Sequence, residues 1–287
     1  MSASNTFVSQ IDNLSSSLSR SKFERLGKVT RVVGMTIEAS GISAEIGAQT
    51  IIEIDGQDRK VEAEVIGFDE KKVFLMPIHF LDGIKAGNVV RVKESESTCS
   101  VGKDLLGRVI NGSGEPIDGK GIIAYEHEMP LDTHATNPME RGAITDILDT
   151  GIKAINGCFA FGKGQRMGLI AGSGVGKSVL LGMLTRNTDA DVVVIGLIGE
   201  RGREVQEFVK NTLGEKGLEK AVVIAAPVDV SPVMRVKAAK LTHSIAEYFS
   251  NEGKNVLLLF DSLTRVAHAQ REIGLAVGEP PTTKGYT

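Results

Sequence analysis

Tryptophan is absent from this 287-residue chain, and cysteine occurs only as Cys99 and Cys158. Two isolated cysteines supply neither a disulfide framework nor the paired spacing of a zinc site, and they point to the reducing cytosol. The five histidines are scattered, so no metal cage made by the protein alone is expected. No apolar run approaches the ~20 residues that cross a bilayer. The N-terminus lacks the basic-then-apolar layout of a secretory signal. A net charge of −3 leaves no overall nucleic-acid footprint. What remains is a globular composition, 41% apolar and 24% charged, long enough for one large or two modest domains.

Glycine is plentiful, and one stretch concentrates it to chemical purpose: Ala171-Gly-Ser-Gly-Val-Gly-Lys-Ser178. Gly172, Gly174 and Gly176 let the backbone turn tightly, so that several N–H groups, including those near Ser173 and Val175, face one anion-sized hollow. The helix expected from Ser178 and Val179 onward adds positive potential at the same point. Lys177 reaches toward β- and γ-phosphates, and the Ser178 hydroxyl can ligate Mg²⁺. The apolar run Met167 to Ile170 before the loop and the helical one after it favour a phosphate loop over an ordinary glycine-rich turn. Ala171 stands where the G-x-x-x-x-G-K-[ST] pattern has glycine. The reading is a protein that binds a nucleoside triphosphate.

Three regions are expected, at 1–26, 27–95 and 96–287. In the first, Phe7, Ile11, Leu14 and Leu18 fall on one helical stripe among Ser and Asn. This is either an amphipathic helix for a partner or a tail resting on its own domain. In the second, short β-type runs at Lys28–Val33, Ile51–Ile54, Val61–Ile66, Lys72–Met76 and Val89–Val92 predict a small barrel or sandwich. The turn-dense stretch Gly107–Gly121 reads as a linker. Beyond it, strands at Arg166–Ala171, Asp191–Leu197, Ala221–Ala226 and Asn255–Phe260 alternate with helical segments near Ser178–Asn187, Arg203–Leu213 and Met234–Ser250. That alternation predicts an α/β fold with a parallel sheet and a ligand at the carboxyl ends of its strands.

Two carboxylates stand at those ends. Asp261 closes the apolar run Val256–Phe260, where it would hold Mg²⁺ through a water or else cap the next helix. Glu200 follows the strand ending at Leu197, where it would polarise an attacking water or else favour the first turn of a helix starting near Arg203.

The strings Arg166-Met-Gly-Leu-Ile-Ala-Gly-Ser-Gly-Val-Gly-Lys-Ser-Val-Leu-Leu-Gly182, Gly199-Glu-Arg-Gly-Arg-Glu-Val205, Asp261-Ser-Leu-Thr-Arg-Val-Ala267 and Ala269-Gln-Arg-Glu-Ile-Gly-Leu-Ala-Val-Gly-Glu-Pro-Pro281 together resemble the rotary-ATPase-related ATPases of flagellar and virulence type III protein export. The flagellar branch is favoured, with the ATP synthase β subunit as structural kin. Ala171 fits that family. The resemblance implies an N-terminal β-barrel, a RecA-like P-loop core and a C-terminal helical domain, working with ATP and Mg²⁺ as a homohexamer. By the same resemblance Lys177 and Ser178 match the phosphate and Mg²⁺ residues and Asp261 the metal-associated carboxylate. Glu200 matches the water-activating carboxylate, and Arg201 a helper at the γ-phosphate. The stripe at Phe7–Leu18 matches the segment that takes a stator-like regulatory subunit. Export gate and chaperone–cargo complexes are further implied partners, at the inner face of the bacterial cytoplasmic membrane and without nucleic acid.

The chain departs from the family at Ala226-Pro-Val-Asp-Val-Ser-Pro232, where the usual pattern is Ala-Thr-Ser-Asp-Glu-Ser-Pro, so Pro227 replaces a hydroxyl and removes a backbone donor. It also stops at Thr287, where family members continue through further core strands, an adenine-packing surface, a trans-acting arginine and the helical domain. An arginine finger contributes about 10³–10⁵ in rate. The expectation for this chain alone is therefore weak nucleotide binding and slow turnover. A proton-translocating ATP synthase catalytic subunit, a binding-only remnant and an RNA-translocating RecA-type hexamer are the alternatives. The scarcity of aromatics and the lack of a basic stripe in the N-terminal region count against the last.

Overall fold

A computed structural model describes residues 25–54, 59–79, 83–93, 97–132, 137–172 and 174–286. The stripe at Phe7–Leu18, together with Ser173 and Thr287, lies outside these. Six antiparallel strands close the N-terminal barrel: β1 (Gly27–Val33), β2 (Thr36–Ser40), β3 (Gln49–Glu53), β4 (Lys60–Asp69), β5 (Lys72–Pro77) and β6 (Val89–Val92), in the order β1-β2-β5-β4-β3-β6. Strict alternation drives closure. Ile37 and Ala39 of β2, Ile52 of β3, Val61, Ala63 and Val65 of β4, Val73 and Leu75 of β5, and Val90 of β6 all turn inward. Thr50 is buried among them, and its hydroxyl donates to the Ala63 carbonyl at 2.9 Å.

A bulge fastens the barrel to the rest of the molecule. The β4–β5 register shifts between Val65 and Gly67, so Ile66 leaves the alternation and is buried on the outer side. There it packs with Met76 against Val233 of α5 (Pro232–Asn251) and Ile273, Ala276 and Val277 of α6 (Leu263–Val277). A Cβ on Gly67 would lie 3.1 Å from Val277, so glycine admits the helix end. The α5 N-cap serves the same joint: the Ser231 hydroxyl accepts from Met234 N–H at 3.2 Å and donates to the Ile78 carbonyl at 3.0 Å.

After the barrel come β7 (Thr98–Val101), β8 (Val109–Asn111) and β9 (His127–Pro130), then β10 (Val192–Ile198), β11 (Ala221–Ala226) and β12 (Val256–Asp261). β7 and β9 pair alone, while β12-β10-β11-β8 form a parallel sheet. Every residue of β10 and β11 is buried, as expected of strands covered on both faces. Leu241, Ile245 and Phe249 of α5 cover one face. Leu181 of α2 (Lys177–Asn187; α1 is the short Lys153–Cys158) covers the other, with Phe208 and Leu213.

Three expectations are corrected. Arg166–Ala171 is not a strand: it is exposed and pairs with no strand among the described residues. Gly107–Gly121 is more than a linker, because its residues 109–111 are β8, in parallel register with Val223–Ala225. The helix expected at Arg203–Leu213 divides into α3 (Gly202–Glu207), a π-helical turn Phe208–Leu213 and α4 (Gly214–Glu219).

An ion pair locks β8 in place. Arg108, at the start of β8, donates to Asp118 through Nε at 2.8 Å and Nη2 at 3.0 Å, and to the Gly121 carbonyl at 2.6 Å. The N–H groups of Val109 and Lys120 also donate to Asp118, which with the guanidinium holds its carboxyl well below the usual range. At the barrel–α5 seam, burial pushes the half-buried Glu64 of β4 up to about 7, while Lys240 and Lys237 of α5 pull it back and Asp132 opposes them. Lys93 and Glu62 pair at 2.5 Å, and Lys240 and Asp132 at 2.6 Å, beside it.

Two outcomes are expected. Asp118→Asn leaves Arg108 buried without its counter-charge and costs about 3–5 kcal/mol, read from the denaturant midpoint. The parent loses the same contribution as pH falls below the carboxylate range, since the folded pKa is the lower one. Glu64 has the opposite sign. Its proton is held more tightly in the folded protein, so its contribution is complete below about pH 4.3 and is lost as pH rises through about 7. Glu64→Gln should therefore melt higher than the parent near pH 8 but not near pH 4.5, by about 2–4 °C per kcal/mol relieved.

Candidate nucleotide-binding site

The loop before α2 takes the conformation its glycines permit. Gly174 and Gly176 have φ of 78° and 93°, with nothing near either where a side chain would begin. Gly176 is the N-cap and Lys177 the first residue of α2, so the lysine enters over the helix N-terminus. Ala171, Gly172, Val175, Ser178 and Val179 are exposed around it. The Lys177 Nζ meets Asp261 Oδ1 at 2.5 Å.

That contact sets the Asp261 carboxylate beside the loop lysine. The side chain is 5% exposed and aimed at the loop lysine. Ser262, not Asp261, is the N-cap of α6, and a cis peptide joins the two. Parallel pairing places Leu197 of β10 opposite Asp261 of β12, which brings the segment after β10 to the same end of the sheet. Gly199 follows with φ of 74°. Its amide donates to the Ala226 carbonyl at 2.7 Å, and a Cβ there would lie 2.6 Å from the Arg265 Cβ. Glycine is needed for both reasons.

Glu200 comes next, ahead of α3 rather than in its first turn, whose acid is Glu204. Its carbonyl accepts from Val228 N–H at 2.9 Å, so the Pro227 loop still anchors the glutamate despite its missing donor. Burial pushes the Glu200 carboxyl up, aided by the charge of Asp261 and a hydrogen bond with Glu204, while Lys177 and Arg265 act against the rise. Glu204 moves down, chiefly because Arg201 binds it at 2.9 Å. Lys177, Asp261 and Glu200 thus gather at one end of β10 and β12. Arg201 stands at the rim, exposed and paired with Glu204. Arg265, one helical turn beyond Asp261, joins the cluster from α6; only its spacing after Asp261 hinted at this.

Among the described residues no group of three or more His, Cys, Asp or Glu side chains could hold a metal by itself. Asp261 and the Ser178 hydroxyl instead offer one carboxylate and one neutral oxygen, a set that suits Mg²⁺ completed by phosphate oxygens. A glycine loop on a helix N-terminus, facing acids at the ends of parallel strands, defines a P-loop nucleotide-binding protein.

Comparison with known proteins makes this specific. Residues 29–92 match the β-barrel domain, and residues 151–287 the nucleotide-binding domain, of the ATP synthase alpha/beta family. The chain is 53% identical over 262 residues to the flagellum-specific ATP synthase of Pseudomonas aeruginosa, covering 91% of this chain and 58% of that protein. It is 51% identical over 271 residues to that of Salmonella typhimurium, covering 91% and 59%. The assembled ATPase EscN of the enteropathogenic E. coli type III secretion system superposes with a TM-score of 0.83 at 41% identity, over 91% of this chain and 62% of that one. The chain belongs to the ATP synthase alpha/beta family, with the barrel and P-loop core of the flagellar and type III export ATPases. It spans about three-fifths of the length of the curated relatives it matches. No helix among the described residues is long and apolar enough to cross a membrane.

The Lys177–Asp261 pair carries a testable consequence, because an incoming phosphate competes with Asp261 for the ammonium. Without divalent cations, Asp261→Asn should bind ATP about tenfold more tightly than the parent, the equivalent of ~1.4 kcal/mol. Lys177→Ala should bind it more weakly. Titration of a fluorescent ATP analogue in chelator checks both.

Proposed function

We propose that this chain is the barrel and catalytic core of an ATP-hydrolysing subunit of the flagellar protein export apparatus. The observation that carries the reading is the meeting of Lys177, Asp261 and Glu200 at one end of β10 and β12, in a chain about half identical to flagellum-specific ATP synthases. The loop amides and Lys177 hold the phosphates. Ser178 and Asp261 would hold Mg²⁺, which would supply charge neutralisation at the phosphates. Glu200, whose burial raises its basicity, accepts a hydrogen bond from the attacking water and orients it. Arg201 exchanges Glu204 for the γ-phosphate.

EscN has been observed assembled, and also in complex with its central stalk EscO. Self-assembly of this chain as a homohexamer is the corresponding proposal, with hydrolysis at subunit interfaces. The stripe at Phe7–Leu18 would take a stator-like regulatory subunit. Export gate and chaperone–cargo complexes would be met at the cytoplasmic face of the membrane.

Steady-state phosphate release, measured against protein concentration for this chain and for a version extended past Thr287, tests the reading. The extended form should release phosphate in a Mg²⁺-dependent way that rises steeply with concentration. Glu200→Gln should lower turnover by about 10²–10⁴ with nucleotide binding kept, and Lys177→Ala should lose both. Silence in both forms would favour a nucleotide-binding protein without turnover, and equal rates would remove the interface from the mechanism.

A further inference from the structure

Gly182 sits inside α2, where glycine is among the poorest helix formers. It is buried, and a Cβ there would overlap the Thr212 Cγ2 methyl and lie 3.2 Å from the Thr212 carbonyl oxygen. The missing side chain is therefore a matter of close approach between α2 and the π-helical turn that carries Thr212. Arg186, one turn further along α2, closes the contact, with its Nη1 donating to the Thr212 carbonyl. The Arg186 stem lies over α4, since a Cβ on Gly217 would be 3.1 Å from the Arg186 Cγ. Leu181 of α2 shares one apolar cluster with Val205, Phe208 and Leu213 on the other side of this contact.

That other side leads back to Glu200. Helical backbone runs from Gly202 through α3 and the π-helical turn to Leu213, with Glu207 and Phe208 at the junction both right-handed helical. The buried residues Val205, Phe208 and Leu213 fall three and then five apart, and the longer step is the π-turn, which sets Thr212 against α2. Gly214, at φ of 63°, then takes the chain out of helical geometry. Carbonyls in the last turn of a helix lack intrahelical partners, and Arg186 serves the one on Thr212. The same helix begins at the site: Arg201 is its N-cap, Glu200 precedes it, and Glu204 of its first turn hydrogen-bonds with Glu200. Two helices thus leave the site, one from Lys177 and one from Glu200, and meet again at Gly182 and Thr212.

We propose that Gly182, Thr212 and Arg186 are positioning residues that key the phosphate-loop helix to the Glu200 segment, so that α2 and the helix from Gly202 to Leu213 move as one body. The proposal rests on the reading of Glu200 as the group that orients the attacking water, and it says what places that group. The three residues stand a helical turn or more from Lys177 and Glu200 and act through the backbone of the two helices. Phosphates held at the N-terminus of α2 then fix, through this contact, where Glu200 stands relative to them. A misplacement on the order of 1 Å caused by a remote substitution costs about 10²-fold in rate, and a contact with no room for one methyl is close enough to cause it.

Titration of Glu200 tests this without nucleotide. In the full chain labelled with ¹³C-glutamate, the side-chain carboxyl signal that vanishes in Glu200→Gln is followed against pH. Gly182→Ala should wedge the helices apart and lower the midpoint toward the ordinary glutamate range, because the burial and the Asp261 charge that hold it up are weakened. Gly182→Ala with Thr212→Ser, which removes the overlapping methyl, should restore the parent midpoint. Arg186→Ala, which adds no bulk, should lower it in the same direction, and Arg186→Lys should recover it. A parent-like midpoint in Gly182→Ala, or no recovery in the double variant, would overturn the proposal. Should Gly182→Ala not fold, a parent-like midpoint in Arg186→Ala would overturn it instead. In the form extended past Thr287, Gly182→Ala should lower kcat about 10²-fold with KM changed less than about twofold, and the double variant should recover. A raised KM with kcat kept would make the contact a determinant of nucleotide binding and overturn its role toward Glu200. No phosphate release from the extended parent would mean that the functional reading itself fails, and the titration would then decide by itself whether the contact places Glu200.

Discussion

The parallel register between β10 and β12 is the constraint on which the site depends. Pairing Val192 with Val256 and carrying it through to Leu197 opposite Asp261 makes both strands end together. Everything chemical follows from what each chain does in the next few residues. β12 ends in a carboxylate, and β10 runs through Gly199 to Glu200. Glycine at 199 lets the backbone turn at positive φ beneath Arg265, where any side chain would collide. A slip of one residue would turn Asp261 into the sheet and separate it from Lys177.

The charge arrangement at that end is balanced in pairs. Asp261 neutralises Lys177, Glu204 neutralises Arg201, and Glu200 sits among them partly buried, pressed toward its protonated form by the first carboxylate and away from it by Lys177 and Arg265. Anion binding at the loop therefore means exchanging one counter-charge for another rather than filling a bare positive pocket. This is compatible with a net negative chain that nevertheless binds polyphosphate, because the local field of a helix N-terminus and one lysine outweighs the overall charge over such short distances.

How far the sequence disclosed this follows from the range of the interactions involved. β10, β11 and β12 were legible because strands buried on both faces are continuous apolar runs, and the loop because only glycines satisfy its turns. Arg166–Ala171 has the same composition and is not a strand, since a strand is defined by its neighbour and the described residues give it none. β8 escaped notice for the converse reason. Three residues in a turn-dense stretch form a strand because Arg108 and Asp118 clamp the loop that presents them to β11, and that pairing spans over a hundred positions. Arg265 lay in plain sight one turn after Asp261, yet its relation to Glu200 appears only once the register brings β10 alongside. The charged seam around Glu64 was invisible because Lys237 and Lys240 lie far along the chain.

The joint between barrel and core has a mechanical meaning that neither part has alone. Ile66, thrown outward by the β4 bulge, and Gly67, which admits Val277, place the barrel on the far end of the same helix whose near end holds Arg265 beside Glu200. α6 is a fifteen-residue helix, roughly 22 Å long at 1.5 Å per residue, packed at its far end against the barrel. A displacement at the barrel end cannot be absorbed within it without breaking helical hydrogen bonds, because packed interiors transmit strain rather than dissipate it. The neighbouring seam with α5 contains charge, in Glu64 facing Lys237 and Lys240, where a purely apolar joint would be simpler to pack. An apolar contact sets distance, whereas a partly buried charge sets a cost that varies with its surroundings. The barrel is therefore tied to the end of the helix that carries Arg265 by an apolar joint, and to α5 by a separate charged seam that is sensitive to its electrostatic environment.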